Sequence, residues 1–184
     1  MPQEVEIKFR IDDVAALPGR LHACGFQLKT PRTHEMNVLY DLPGQPLRQK
    51  GEILRIREYG GNWTITYKSK GTEGRHKSRR EIETHMADGK AMTEIMEALG
   101  FSASFRYEKF RTEWSDGHGH VVVDETPIGN FGEIEGTAEW IDKVAERLKI
   151  SPEQYITSSY AQLFFLWKQQ NGSHANEMTF AAVG

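Results

Sequence analysis

Glu4-Val5-Glu6-Ile7-Lys8-Phe9-Arg10 alternates charged and apolar residues at every step. Side chains on an extended chain point to opposite faces in turn, so Glu4, Glu6, Lys8 and Arg10 share one face and Val5, Ile7 and Phe9 the other. Taken alone, such a strand is ordinarily an edge or surface strand with its polar face in water. Its repetition along the chain argues against that reading.

In Leu54-Arg55-Ile56-Arg57 the two arginines lie opposite Leu54 and Ile56. In Trp63-Thr64-Ile65-Thr66-Tyr67-Lys68 the threonines and Lys68 share a face, and Lys70 continues its register. Arg79, Glu81 and Glu83 form another polar face, backed by the less apolar Arg80, Ile82 and Thr84. Tyr107, Lys109, Arg111 and Glu113 alternate with Glu108, Phe110, Thr112 and Trp114; Val121-Val122-Val123 leads into Asp124, and Glu133 and Glu135 flank Ile134. Acids and bases therefore recur at strand positions whose neighbours are mostly hydrophobic. If the apolar faces pack beneath helices, the charged faces look into a shared interior, and the sheet curves or closes around water and charge. Buried charges persist only when paired, hydrogen-bonded, metal-bound or wet, so such a lumen implies ions or ligands that use it.

The chain has 184 residues, enough for one domain with a real core, and no Pro/Gly-rich linker divides it. A formal net charge of -3 gives no global case for nucleic acid or an anionic membrane; anion binding must come from local clustering. The single cysteine, Cys24, reads as a helix-face residue and cannot form an internal disulfide. Met1-Pro2-Gln3-Glu4 has neither a basic n-region nor an apolar h-region, and no run reaches membrane-spanning length. A soluble, cytoplasmic protein is expected.

Asp12 or Asp13 is placed to cap a helix running to Cys24, weakened or kinked at Pro18-Gly19. Strands are expected at 34–42, 52–59, 62–70, 78–85, 104–114, 119–125 and 131–136, with loops at 42–46 and Asp116-Gly117-His118-Gly119. Helices are expected from Lys90 to Leu99, around Trp140, Val144 and Leu148, and from Tyr160 to Trp167. Residues 1–170 then form one α+β, mainly antiparallel domain, and 171–184 a polar tail read as disordered. Exposed aromatics such as Trp114 or Trp167 leave a homodimer open.

Carboxylates two apart on a strand supply oxygen ligands suited to Mg²⁺ or Mn²⁺, and Glu4/Glu6 and Glu133/Glu135 match that need. Asp124 adds a further ligand or positions a water or hydroxyl. Guanidinium forks on facing strands suit phosphate oxygens. A site of this kind does phosphoryl chemistry by positioning and charge neutralisation, without a covalent nucleophile. Two other constellations are weaker. His118-Gly119-His120 lies in an expected turn and reads as solvated. The run Arg75-His76-Lys77-Ser78-Arg79-Arg80 reads first as a solvated loop, next as a lid or rim, and last as a nucleic-acid contact.

Together these residues resemble the CYTH domain, or triphosphate tunnel metalloenzyme, family. Glu4-x-Glu6-x-Lys8 matches its opening signature, and Arg55-x-Arg57, Lys68, Lys109-x-Arg111, Asp124 and Glu133-x-Glu135 follow in order over roughly residues 4–167. The resemblance implies an eight-stranded antiparallel β tunnel with a charged lumen and helices outside, dependence on Mg²⁺ or Mn²⁺, and a triphosphate-bearing small molecule as substrate. It implies metal on Glu4, Glu6, Asp124, Glu133 and Glu135, and phosphates on Lys8, Arg55, Arg57, Lys68 (or Lys70), Lys109 and Arg111. Glu6, Lys8, Asp124 and Glu133 fall among the catalytic groups. The segment from Asp124 to Gly136, with Ser159-Tyr160, is most similar to bacterial members labelled class IV adenylyl cyclase. Conversion of ATP to cyclic AMP and pyrophosphate is the first expectation, hydrolysis of a triphosphate the second, and non-catalytic binding of polyphosphate or nucleotide the third.

Overall fold

The computed structural model describes residues 3–72 and 74–184. Its eight strands are β1 (Gln3–Arg10), β2 (Gln27–Asp41), β3 (Ile53–Tyr59), β4 (Asn62–Lys68), β5 (Lys77–Met86), β6 (Ser102–Ser115), β7 (His120–Thr126) and β8 (Gly129–Glu135). All their pairings are antiparallel, and they close in the order β1-β5-β4-β3-β2-β6-β7-β8. The helices are α1 (Leu17–Ala23), α2 (Pro46–Lys50), α3 (Gly89–Ala98), α4 (Ala138–Arg147), α5 (Tyr160–Asn171) and α6 (Phe180–Val183). The barrel is the closed, helix-clad α+β architecture expected from residue parity. No helix among the described residues is long and apolar enough to cross a membrane.

The hydrophobic core lies outside the barrel. Ile7 and Phe9 of β1, Trp114 of β6, Val121 and Val123 of β7 and Ile134 of β8 pack against Leu17 and Leu21 of α1 and Ile141, Val144 and Leu148 of α4. Around Tyr40 and Ile56 a smaller cluster receives Met96 of α3. Burying these apolar faces stabilises each fully enclosed large side chain by roughly 1.5–3 kcal/mol, and it leaves the alternate positions pointing inward. The outer face of β5 lacks such a cover, and Ile82 there is 47 % exposed.

Several local expectations are corrected. α1 begins at Leu17, so Pro18 sits in its first turn, where the missing N–H costs no hydrogen bond and no kink results. The loop expected at 42–46 runs into an unforeseen helical turn, α2: Asp41 accepts hydrogen bonds from the backbone N–H groups of Leu47 and Arg48 and holds the start of that turn. Trp114 is buried against His22 rather than exposed, and Trp167 is half-buried, its ring stacked on Phe164.

The segment after Asn171, expected to be disordered, docks on the barrel. β6 extends beyond the end of its pairing with β7, and its spare edge exchanges backbone hydrogen bonds with Met178, whose side chain is fully buried. Phe180 packs on Phe110.

Gly132 of β8 lies against the ring of Phe9, and a Cβ there would come within 2.1 Å of Phe9 Cζ. Gly132→Ala is expected to destabilise the fold by about 1–3 kcal/mol through overpacking of this outer core, read as a lower urea midpoint. An unchanged midpoint would mean that the β1–β8 face packs loosely.

Candidate functional site

The inward faces enclose a cavity of about 580 Å³. Glu4, Glu6, Lys8, Arg55, Arg57, Lys68, Lys109, Arg111, Glu133 and Glu135 all line it. Lys70 does not: β4 ends at Lys68, and Lys70 is exposed beside Gly51. Asp124 stands behind the lining, with no exposed surface.

Strand register sets opposite charges side by side. Lys8 faces Glu133, Glu4 faces Arg79, Glu6 faces Lys77 and Lys68 faces Glu81. The side chains complete these pairs. Lys8 donates to Glu133 at 2.6 Å; Lys68 and Arg79 donate to Glu4 at 2.7 and 2.9 Å. Arg57 donates to Glu83 at 3.0 Å, and Arg55 reaches the same carboxylate at 3.3 Å. Arg111 makes a forked contact with Asp124 at 2.7 and 2.6 Å and also donates to Glu133 at 2.5 Å. Lys109 donates to Asp124 at 2.8 Å. At this strength of pairing, each base keeps its charge inside the protein.

The electrostatics follow from those contacts. Burial would raise the Glu4 carboxyl, but Lys68 and Arg79 hold it down at about 2. Burial likewise acts on Glu133, and Lys8 and Arg111 overcome it, holding that carboxyl well below the usual range. Lys77 is drawn down to about 8 by burial and by Arg79 beside it. Burial and the neighbouring Glu4 raise the Glu81 carboxyl against the pull of Lys68, and Glu135 is raised as well. It lies opposite Glu6 in register, and burial, then Glu4 and Glu6, push its carboxyl up to about 7.

Helix α5 closes one side of the site. Ser159 and Gln162 form a capping box at its start, which fixes Tyr160 in the first turn. The Tyr160 hydroxyl donates to Asp124 at 2.6 Å, and the ammonium groups of Lys8 and Lys109 each lie 4.7 Å from its ring centroid. Burial and the Asp124 carboxylate keep the Tyr160 hydroxyl protonated well above the usual range.

Sequence reasoning missed part of this lining. Glu35 and Asn37 of β2 are fully buried among the bases, and the alternation His34-Glu35-Met36-Asn37-Val38 carries the same parity signal as the other strands. Lys77, read as part of a loop or rim, lines the cavity from β5 beside Arg79, which lies on the expected polar strand face with Glu81 and Glu83; of the same run, Arg75 and His76 instead contact Asp142 of α4. His120 lies at the edge of the cavity, whereas His118 is exposed in the turn. Tyr160 and Asp124 converge from elements 36 residues apart, and strand parity carries no information about a helix residue.

Among the described residues, no three acidic, histidine or cysteine side chains converge on a point that would hold an ion as they stand. The donor chemistry nevertheless fits a hard divalent cation. Glu4, Glu6 and Glu135 offer oxygen alone, and the raised Glu135 carboxyl marks local negative charge that a cation would relieve.

A CYTH domain family model matches residues 2–161. A Methanocaldococcus jannaschii protein named "Putative adenylate cyclase" is 31% identical over 171 residues, covering 87% of this chain and 97% of that protein. The X-ray structure of a Vibrio parahaemolyticus protein, also called a "putative adenylate cyclase", shares the fold with a TM-score of 0.78 at 21% identity, over 88% of this chain and 97% of that one. A Hippeastrum "putative adenylyl cyclase", described as revealing a dominant triphosphatase activity, has a TM-score of 0.66 at 20% identity, over 91% and 96% of the two chains.

The Glu135 environment makes a prediction about stability. Its folded pKa of about 7 exceeds the ordinary 4.5, so the folded chain holds that proton more tightly than the unfolded chain. The resulting stability is fully present below about 4.5 and is lost as pH rises through about 7. Glu135→Gln is therefore expected to raise the melting temperature at pH 8 and leave it unchanged at pH 4.5. The gain is on the order of 1 kcal/mol, since water at the open mouth screens much of the interaction. Equal melting temperatures at pH 8 would mean that Glu135 is not crowded by Glu4 and Glu6.

Proposed function

The chain belongs to the CYTH domain family, and on that premise we propose that it is a divalent-metal-dependent enzyme acting on a triphosphate inside the barrel, converting ATP to cyclic AMP and pyrophosphate. The observation that carries this reading is the set of bases from β1, β3, β4 and β6 facing one cavity, each already neutralised by a carboxylate.

The mechanism is an exchange of partners. Phosphate oxygens take the place of carboxylates on Lys8, Arg55, Arg57, Lys68 and Arg111, whose donors are already aimed inward. Glu4 and Glu133, so released, together with Glu6 and Glu135 beside them in the lining, would hold Mg²⁺ or Mn²⁺. The chemistry a cation held there would supply is neutralisation of phosphate charge. Asp124 stays in place, gripped by Lys109, Arg111 and Tyr160, and fixes the geometry of those two bases rather than meeting the metal. With the chain of phosphates held, the ribose 3′-oxygen attacks the α-phosphorus, the bond to the β-phosphate oxygen breaks, and pyrophosphate leaves as the hydroxyl proton passes to solvent. Positioning and electrostatic preorganisation account for the catalysis.

Hydrolysis at the terminal phosphorus is the second reading. It draws on Glu135, a carboxyl held at about 7 and so suited to accept a proton from water near neutral pH. It also draws on the activity described for the Hippeastrum protein.

Incubating the protein with ATP, and separately with tripolyphosphate, in Mg²⁺ or Mn²⁺ separates the readings by product. Cyclic AMP plus pyrophosphate is expected from ATP; orthophosphate alone would favour hydrolysis, and no turnover of either compound would overturn both. Arg57→Ala is expected to raise KM about tenfold or more with a smaller change in kcat, whereas unchanged kinetics would remove Arg57 from the site. Glu6→Gln is expected to lower kcat by at least about a hundredfold while the protein stays folded by circular dichroism. Full activity would exclude Glu6 from the metal-holding set.

A further inference from the structure

Three bases converge on one side chain that no substrate can reach. The Glu35 carboxylate lies 3.5 Å from Lys109 Nζ, 3.8 Å from Arg111 Nε and 3.9 Å from Arg57 Nη1, and it has no exposed surface. None of these contacts is a hydrogen bond. The Oε1 atom accepts from the Asn37 amide at 2.9 Å, and Oε2 has no hydrogen-bond partner. The same bases spend their donors elsewhere: Lys109 and Arg111 on Asp124 and Arg57 on Glu83. Glu35 therefore acts on them through its field, while other groups fix their geometry.

That distinction has a functional consequence. Glu4, Glu6, Glu133 and Glu135 line the cavity and are free to change partners when an anion and a cation enter. Glu35 is absent from that lining, and the three bases hold its carboxyl well below the ordinary range despite its burial, so its charge remains when the others are exchanged. A tunnel lined with guanidinium and ammonium groups would otherwise grip every polyphosphate, product as well as substrate. Inside a low-dielectric wall a unit charge is felt several ångströms away.

We propose that Glu35 is a fixed counter-charge that limits how tightly the Arg57–Lys109–Arg111 cradle holds polyphosphate, setting the balance between substrate capture and product release. This rests on the triphosphate reading of the site.

Calorimetric titration of the full chain with tripolyphosphate, without metal and with Mg²⁺, tests it on wild type, Glu35→Gln and Glu35→Asp. Glu35→Gln is expected to bind about tenfold more tightly or better, with kcat and KM for ATP falling together as product release slows. Glu35→Asp, which keeps the charge and moves it, is expected to bind within about threefold of wild type. Weaker binding by both variants would make Glu35 a geometric support and overturn the proposal, as would affinity unchanged in Glu35→Gln. If Glu35→Gln does not fold, Asn37→Asp serves instead, since a second negative charge on the same face is expected to weaken tripolyphosphate binding about tenfold; wild-type affinity there would be contrary. Failure of the wild type to bind tripolyphosphate at all would overturn the functional reading and this proposal with it.

Discussion

A lysine or arginine enclosed by a closed sheet must find a negative partner, and that requirement governs this molecule. Removing an ion from water costs several kcal/mol even after relaxation, and an unpaired one would shed its charge or unfold the barrel. Here antiparallel register supplies the partner. Lys8 opposite Glu133 and Glu4 opposite Arg79 are neighbours because of the strand order that closes the sheet. Pairing within the lumen and closure of the barrel are thus one event, and a one-residue slip of any strand would turn its charges into the greasy layer beneath the helices.

The same constraint explains why the stabilising core is on the outside. With the interior given to charge, apolar burial falls to the reverse faces of the strands, covered by α1 and α4 on one side and by α3 and α5 elsewhere. On the proposed reading, a lumen so neutralised is preorganised for a ligand that carries both signs, an anionic chain with its cation. Each base is already paired with a carboxylate, so entry of such a ligand would exchange ion pairs rather than create charges. Glu35 and Asp124 differ from the other acids because neither has exposed surface. In the proposed exchange of the lining they keep their positions.

The parity of β1, β3, β4 and β6 was legible because charge and hydrophobicity alternate there without interruption, and eleven candidate side chains read from it and from the family resemblance lie in or directly behind one cavity. Where the reading stopped short, the causes are physical. In β2 Glu35 and Asn37 bring polarity inward, but the bulged stretch between Leu28 and Thr33 breaks the alternation before them. Lys77 precedes the strand expected at 78–85 and sits in a run of bases whose density looks like a solvated loop. Asp41 caps a helix through a fold of the chain that no local pattern announces. Tyr160 reaches Asp124 from a helix, and the tail beyond Asn171 docks through the spare edge of β6; both depend on tertiary geometry alone.

In the proposed mechanism, ion pairs open to receive a polyphosphate and its metal. The most direct test is a crystal structure of the protein with tripolyphosphate and Mn²⁺, with the metal located by its anomalous signal. The account predicts manganese among Glu4, Glu6, Glu133 and Glu135, and phosphate oxygens within hydrogen-bond distance of Arg57 and Arg111, with Asp124 still held by Tyr160. Manganese and tripolyphosphate bound outside the barrel, with Lys8–Glu133 and Arg57–Glu83 intact, would contradict it.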